Sequence, residues 1–318
     1  MSVPLRLRRA PAPAALALLL ALPFGGSPAA AQVQVIDPIE DLDFDDPESW
    51  AMKYFSSASL MTSLGPVQDR VAGELELGLE ALSVPDLSED QRTVGFGGNK
   101  EEDLNRSPAF GRIRLAVGLG GRFSLTAGWM PPVEVDGVEA NLVSLAIERP
   151  IVSGQRWSLG WRLYGQTGTA EGDLVCTRED AASPPGSPGN RFGCQEPSND
   201  EVTLEHYGAE LVAAVTLNDT FRLHFGAGAV EHDLEFQIDA FTFDFQDRTL
   251  LLAAGSTVTA TAGATLRVSG RLSLAAEVFY SPLDRRRRRG MPIEDPALLR
   301  VIDDELLNLR GMLRYRLR

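Results

Sequence analysis

From residue 71 onward the chain is written in period two. The stretch "VAGELELGLEAL" (71–82) sets Val71, Leu75, Leu77 and Leu79 against Glu74, Glu76 and Glu80. That is the repeat of a β-strand, whose successive side chains leave opposite faces. The pattern returns along the chain. "RIRLAVGL" opposes Ile113, Leu115, Val117 and Leu119 to Arg112 and Arg114, and "FSLTAGW" opposes Phe123, Leu125, Ala127 and Trp129 to Ser124 and Thr126. "WSLGWRLYGQ" sets Trp157, Leu159, Trp161 and Leu163 against Ser158, Arg162 and Gln166. "YGAELVAAV", "FRLHFGAGA", "STVTATAGATLRV", "LSLAAEVFY" and the closing "LNLRGMLRYRLR" continue the series, while "NLVSLAIERP" is apolar on both faces.

The spacers carry a second pattern. "GGR" at 120–122, "VSGQ" at 152–155, "LNDT" at 217–220 and "VSGR" at 268–271 are tight and hold the Gly, Asn and Asp that hairpin turns need. Between them lie long polar spacers near 83–108, 131–139, 167–202, 231–248 and 281–305. Short and long alternate strictly. About ten strands result, an even number, which returns the last strand to the end where the first begins. The reading places the mature N-terminus at that same short-turn end. A strand at 54–64 would break the parity. "WAMKYFSSASLMTSLG" is therefore read as a short helix outside the barrel wall or plugging its lower mouth, with Pro47 at its start.

Upstream, Arg6, Arg8 and Arg9 precede "AALALLLAL" and then "SPAAAQ". This is a signal peptide ending near Ala31, too short in its apolar run to span a bilayer. The expected organisation is a signal peptide over 1–31, an acidic leader and short helix over 32–65, and a barrel over 66–318. Removing three arginines and no acid takes the formal charge from −14 to −17. So acidic an exported chain is unsuited to nucleic acid. "IDPIEDLDFDDPES" holds seven carboxylates and no base, and reads as a solvated leader. The two cysteines, Cys176 and Cys194, share one Gly/Pro/Ser-rich spacer and are expected to pair. That spacer has no histidine, so no metal site is expected there, and nothing in the chain calls for a cofactor.

A soluble β-sandwich also has alternating strands, but its loops are short at both ends and its core has no use for tryptophans at strand ends. With long and short spacers alternating and Trp129, Trp157 and Trp161 near strand ends, the chain resembles Gram-negative outer-membrane β-barrel proteins. The resemblance covers the chain from about residue 70, plus the signal peptide, and no narrower family is assigned. It implies an antiparallel up-and-down barrel in the outer membrane, lipid and lipopolysaccharide around it, and the barrel-assembly machinery as a partner. Proteins of the class usually end in an aromatic residue. Here Leu313, Tyr315 and Leu317 supply the outward ladder, but Arg318 is last. The long-chain fatty-acid transporters also carry an N-terminal plug, in larger barrels.

The barrel reading turns the polar faces inward. Glu74, Glu76 and Glu80 of the first strand then lie between Arg112 and Arg114 of the second and Arg310, Arg314 and Arg316 of the last. Arg162, Glu210, Arg222, His224, Arg267 and Glu277 extend this lumen lattice around the wall. Opposite charges across strands stabilise by roughly 0.2–1 kcal/mol per pair. They also set register, because a one-residue slip would turn arginines into lipid at ~2–4 kcal/mol each. A filled, non-conducting lumen is the expectation.

Catalytic signatures are weak. His224 is expected low in its strand with a nearby carboxylate as partner. His206 and His232 are placed near the external rim, beside Glu205 and Asp233, a loose likeness to the omptin proteases. Neighbours in a strand point to opposite faces, so His232 and Asp233 should not meet. No G-x-S-x-G, H-E-x-x-H or Gly-rich phosphate loop is present. The run Arg285, Arg286, Arg287, Arg288 and Arg289 reads as solvated loop, or as a contact for lipopolysaccharide phosphates. "EHDLEFQIDAFTFDFQDR" extends a hairpin above the membrane, and its apolar residues either pack on other loops or line a mouth. The expected function is a narrow uptake or binding barrel for a small apolar or amphipathic molecule. The alternatives are a surface structural or adhesion barrel and a rim hydrolase.

Overall fold

The computed structural model describes residues 33–287 and 300–317. Ten strands form one closed sheet. They are β1 (Leu75–Ser83), β2 (Ala109–Gly120), β3 (Phe123–Met130), β4 (Val138–Ser153) and β5 (Trp157–Gly172). Then come β6 (Asp200–Thr216), β7 (Phe221–Gln237), β8 (Leu250–Arg267), β9 (Leu272–Pro282) and β10 (Glu305–Arg316). Every neighbour in sequence is an antiparallel neighbour in space, and β10 pairs with β1 to close the ring, Leu79 opposite Leu313. Closure leaves no unpaired edge, which is what a sheet in lipid requires.

The wall sorts its side chains as period two demands. Glu76, Glu80, Arg112, Arg114, Arg310 and Arg314 are buried, while Leu79, Leu115, Leu145, Leu211, Phe225, Val258 and Leu309 are exposed around the outside. An apolar belt of this extent has no place in water. Trp157 and Tyr315 lie at its short-turn margin, and Trp129, Tyr207 and Tyr280 at its long-loop margin, as aromatic girdles do. Beyond Tyr207 the outward face turns acidic, with Glu205 opposite Asp233. The long-loop ends of β6 and β7 therefore stand proud of the membrane. No helix among the described residues is long and apolar enough to cross a bilayer.

The short turns fall where the sequence put them. Gly121 and Arg122 both have positive φ, the type I′ geometry that suits a two-residue hairpin. At the opposite end Pro131 and Pro132 stop β3 early, because proline offers no N–H to the ladder. The long connections form a second layer there. Gln34–Ile36 pairs in parallel with Phe245–Asp247, which pairs with Ala240–Thr242. Cys176 and Cys194 are bonded, with Cα atoms 5.6 Å apart, and pack with Val175 and Ala240 under this cap.

Two expectations need correction. The helix α1 (Pro47–Ser59) lies neither outside the wall nor at the short-turn mouth. It sits inside the barrel at the long-loop end, where Trp50 donates to the Leu283 carbonyl at 2.9 Å and Tyr54 to that of Pro85 at 2.7 Å. The leader before it also lies at the long-loop end, Ile39–Asp41 pairing in parallel with the start of β8. The chain thus descends through the lumen before β1 begins at the short-turn end. Strand parity fixes where β1 starts but says nothing of the segment before it. The signal peptide expected over 1–31 lies outside the described residues.

Candidate functional site

The lumen has two halves of different chemistry. In the half toward the short turns, the segment after α1 runs extended down the axis, and barrel arginines hold its main chain. Arg310 donates to the carbonyls of Ser57 at 3.1 Å and Ala58 at 3.3 Å, and also to Leu60. Arg112 reaches Ser59, Arg162 reaches Met61 at 2.6 Å, Arg114 reaches Thr62 at 2.7 Å, and Arg314 reaches Ser63 at 3.1 Å and Leu64. The carbonyls at a helix C-terminus have no intrahelical partner, and an extended strand without a neighbour leaves its own unpaired. Guanidinium groups supply both, in a fork that reaches two acceptors at once.

The same arginines are held by carboxylates. Glu80 takes Arg112 at 3.3 Å and Arg114 at 2.7 Å, and Glu76 takes Arg314 at 3.9 Å. Glu210 faces Arg162 at 3.5 Å, and Glu277 faces His224 at 3.2 Å. The glutamate row between two arginine rows is therefore present. It is completed by two residues that the strand pattern did not flag. Arg70, on the plug, bridges Glu76 at 2.9 Å and Glu148 at 2.7 Å. Glu148 lies in the stretch that is apolar on both faces, and Arg70 precedes the first strand, so alternation identifies neither.

Three lattice members stand lower than expected. Arg222 and Arg267 are exposed at the short-turn mouth, where they line a cavity of about 120 Å³ with Arg271 and Arg314. Arg316 is exposed at the same end and pairs with Glu74 at 2.9 Å. Each lies at its strand's end or one residue from it, where the wall gives way to solvent. Close approach between plug and wall is made by glycine. A Cβ on Gly160 would meet Val67 at 2.6 Å, and one on Gly128 would meet the Met61 sulfur at 2.8 Å.

His206 and His232 are not at the rim. Both are buried and face the Ser56 hydroxyl of α1, with Nδ1 atoms at 3.2 and 3.0 Å. The strands that carry them run on past them to Asp200 and Gln237, which moves the rim outward. Asp233 points outside the barrel, and Glu205 bonds Thr167 there. The acid–imidazole pairs that a rim hydrolase of omptin type would use are thus on opposite faces of the wall. Arg285 and Arg286 are not free for lipopolysaccharide either. Arg285 is buried, pairs with Asp90 at 2.8 Å and lies over the Trp50 ring, and Arg286 pairs with Asp45 at 2.8 Å and with Asp43. The side chain of Arg287, and all of Arg288 and Arg289, lie outside what is described.

The half toward the long loops is apolar. Trp50, Met52, Tyr54, Leu142, Leu204, Val230, Leu234 and Phe279 form its core. Above them opens a cavity of about 390 Å³ between α1 and the loops. Its lining includes Leu42, Met52, Phe55, Leu174, Phe236 and Leu251. Phe236 and Ile238 also pack beside the disulfide, so the aromatic loop both packs and lines the mouth. Carboxylates stand among the apolar lining, Glu48 and Glu102 among them. Burial pushes the Glu102 carboxyl up to about 8 in spite of Lys100 beside it.

No protein-family model matches the chain, and no curated protein matches it. Solved structures do. The chain is similar to the outer membrane protease OmpT from Escherichia coli, at 11% identity and TM-score 0.36, over 77% of this chain and 94% of that one. It is similar to the COG4313 outer membrane channel from Pseudomonas putida F1, at 11% identity and TM-score 0.42, over 80% and 100%. It is also similar to the Pseudomonas putida toluene transporter TodX, at 12% identity and TM-score 0.31, over 91% and 79%. On its own geometry, the closed ten-stranded ring with an apolar belt around its outside is the architecture of an outer-membrane barrel.

Proposed function

We propose that this is an outer-membrane barrel that captures a small apolar or amphipathic molecule at its external mouth, after export on its N-terminal signal segment. The observation that carries the reading is the apolar cavity of about 390 Å³ between α1 and the long loops. Concave, mostly apolar sites with a few placed polar groups are where small ligands bind. The cavity faces the side that long loops mark as extracellular. Below it, α1 and the arginine-held segment occupy the lumen, so uptake past the mouth requires that segment to move. The outward ladder of Leu309, Leu313, Tyr315 and Leu317 suits recognition by the barrel-assembly machinery.

The test is calorimetric titration of the protein in lipid nanodiscs with water-soluble aromatic probes. Saturable binding that Phe236→Ala weakens about tenfold supports the reading, since half-burying such a ring is worth on the order of 1–2 kcal/mol. No binding above that of empty nanodiscs would sink it. A loop-borne structural or adhesion role is the second reading, favoured by the way the disulfide and the small sheet of Gln34–Ile36, Ala240–Thr242 and Phe245–Asp247 tie the external loops into one surface.

A further inference from the structure

The opposite end of the barrel gathers positive charge. Five arginines line the cavity of about 120 Å³ at the short-turn mouth: Arg222, Arg267, Arg271, Arg314 and Arg316. Two carboxylates share the lining, Glu76 and Asp219, in a chain whose formal charge is −14. We propose that this mouth binds a small dissolved oxyanion, phosphate its simplest form, from the side that short turns mark as periplasmic. The inference concerns a second site and does not rest on the reading of the external cavity.

Register brings the arginines together. Arg222 of β7 lies opposite Thr265 of β8, and Arg267 follows two residues later on the same inward face. Ser273 of β9 lies between Arg267 and Arg314 of β10. Arg271 precedes Ser273 by two residues, and its carbonyl accepts from the Arg316 N–H at 2.8 Å. Four neighbouring strands thus bring their cations to one patch inside the mouth, while Leu266 and Leu274 face outward. Like charges on adjacent strands repel, so the wall gains nothing from the arrangement itself.

Part of this charge is already matched. Arg316 pairs with Glu74 at 2.9 Å, and Arg314 holds Glu76 and the plug carbonyls. Glu76 is also bridged by Arg70, and Arg267 donates to the Asp219 carbonyl. Among the described residues the side chains of Arg222 and Arg271 have no hydrogen-bonded or ion-paired partner, and no ion pair ties the Asp219 carboxylate to the patch.

A second, independent feature points to a ligand. Thr265 lines the same cavity, is nine-tenths buried, and its hydroxyl has no hydrogen-bond partner. A buried hydroxyl left without a partner is costly. It stands beside a cavity arginine, since a Cβ on Gly65 would meet Arg314 Nη2 at 2.8 Å and Thr265 Oγ1 at 3.1 Å. A tetrahedral oxyanion offers acceptors on every side, which suits guanidinium forks arriving from several strands and a hydroxyl that lacks an acceptor. The patch faces the lumen and not the lipid belt, which favours a dissolved anion over a bilayer headgroup.

The test is calorimetric titration of inorganic phosphate into the full chain in phosphatidylcholine nanodiscs, with ionic strength held constant by chloride. Saturable binding is expected, weakened about tenfold by Arg222→Gln with Arg271→Gln. Both side chains are exposed and unpaired, so the double variant should melt as the parent does. Arg248→Gln, exposed at the opposite end, should leave the affinity as it was. Heat no greater than that from empty nanodiscs overturns the inference, as does an affinity unmoved by the double substitution. An equal loss in Arg248→Gln also overturns it, because the attraction would then be diffuse. Nanodiscs containing phosphatidylglycerol separate the two sources of phosphate. Binding of the free anion that persists there supports the inference, and binding that the lipid abolishes makes a headgroup the occupant and overturns it. The reading of the external cavity stands or falls on its own titration.

Discussion

The two halves of the lumen solve one problem in opposite ways. Both must fill a ten-stranded ring with a segment of the same chain. Toward the short turns, Ser57–Leu64 is gripped by five arginines through its carbonyls, and four of them, Arg112, Arg114, Arg162 and Arg314, are gripped in turn by glutamates. Toward the long loops, α1 packs through Trp50, Met52, Tyr54 and Phe55 against apolar wall residues, and a cavity remains. The ionic half ties each partner to a fixed geometry, because breaking a buried pair strands a charge. The apolar half tolerates a void, because dispersion is non-directional. A barrel that must stay shut yet hold a guest would place its lock and its pocket in just these two environments.

The largest effect is expected from Arg310→Ala. It removes the donor to three plug carbonyls and leaves Glu277 and Glu80 with one cation fewer. The expected loss is about 3–5 kcal/mol, read as faster hydrogen exchange over 57–64 and a lower denaturant midpoint. An unchanged exchange pattern would mean that the arginines do not hold the plug. Removing the disulfide with Cys176→Ser and Cys194→Ser should cost about 3 kcal/mol in the entropic account. Because the bond lies in the outer cap, the increase in exchange should be confined to the loops and leave 57–64 protected. Gly160→Val puts two methyls where Val67 already sits, and should cost about 1–3 kcal/mol through displacement of the plug.

The smallest effect is a pH dependence of the outer half alone. Glu102 titrates near 8 in the folded protein and near the ordinary carboxylate value when unfolded. The folded state therefore binds more protons across that interval, and the contribution of this group to stability falls as pH rises through it. Protection factors in the 93–102 loop, which divide out the base-catalysed rise of the intrinsic exchange rate, should fall between pH 5 and pH 9. Glu102→Gln should flatten that profile, and a profile that persists in the variant would assign it to another group.

These contrasts also mark what the sequence discloses. Strand number, turn positions and the facing of Glu80, Arg112, Arg114 and Arg310 are legible because period two is local and the turn residues are chemically distinct. Cys176 and Cys194 pair as compartment and spacing lead one to expect. The destination of 47–70 is not legible. Its partners recognise carbonyls, and a carbonyl carries no residue identity. The heights of His206 and His232 are not legible, because "EHDLEF" reads as part of a polar spacer while the strand runs through it to the end of β7. The cavity is the meeting of the N-terminal segment with three separate long loops, and no local pattern encodes that.

The geometry makes the N-terminal segment the seal of the barrel. Single-channel recording of the purified full chain in planar bilayers tests it most directly. A membrane that stays electrically silent after verified insertion, apart from brief flickers, is the predicted result. Large, steady steps of current from the intact chain would contradict it.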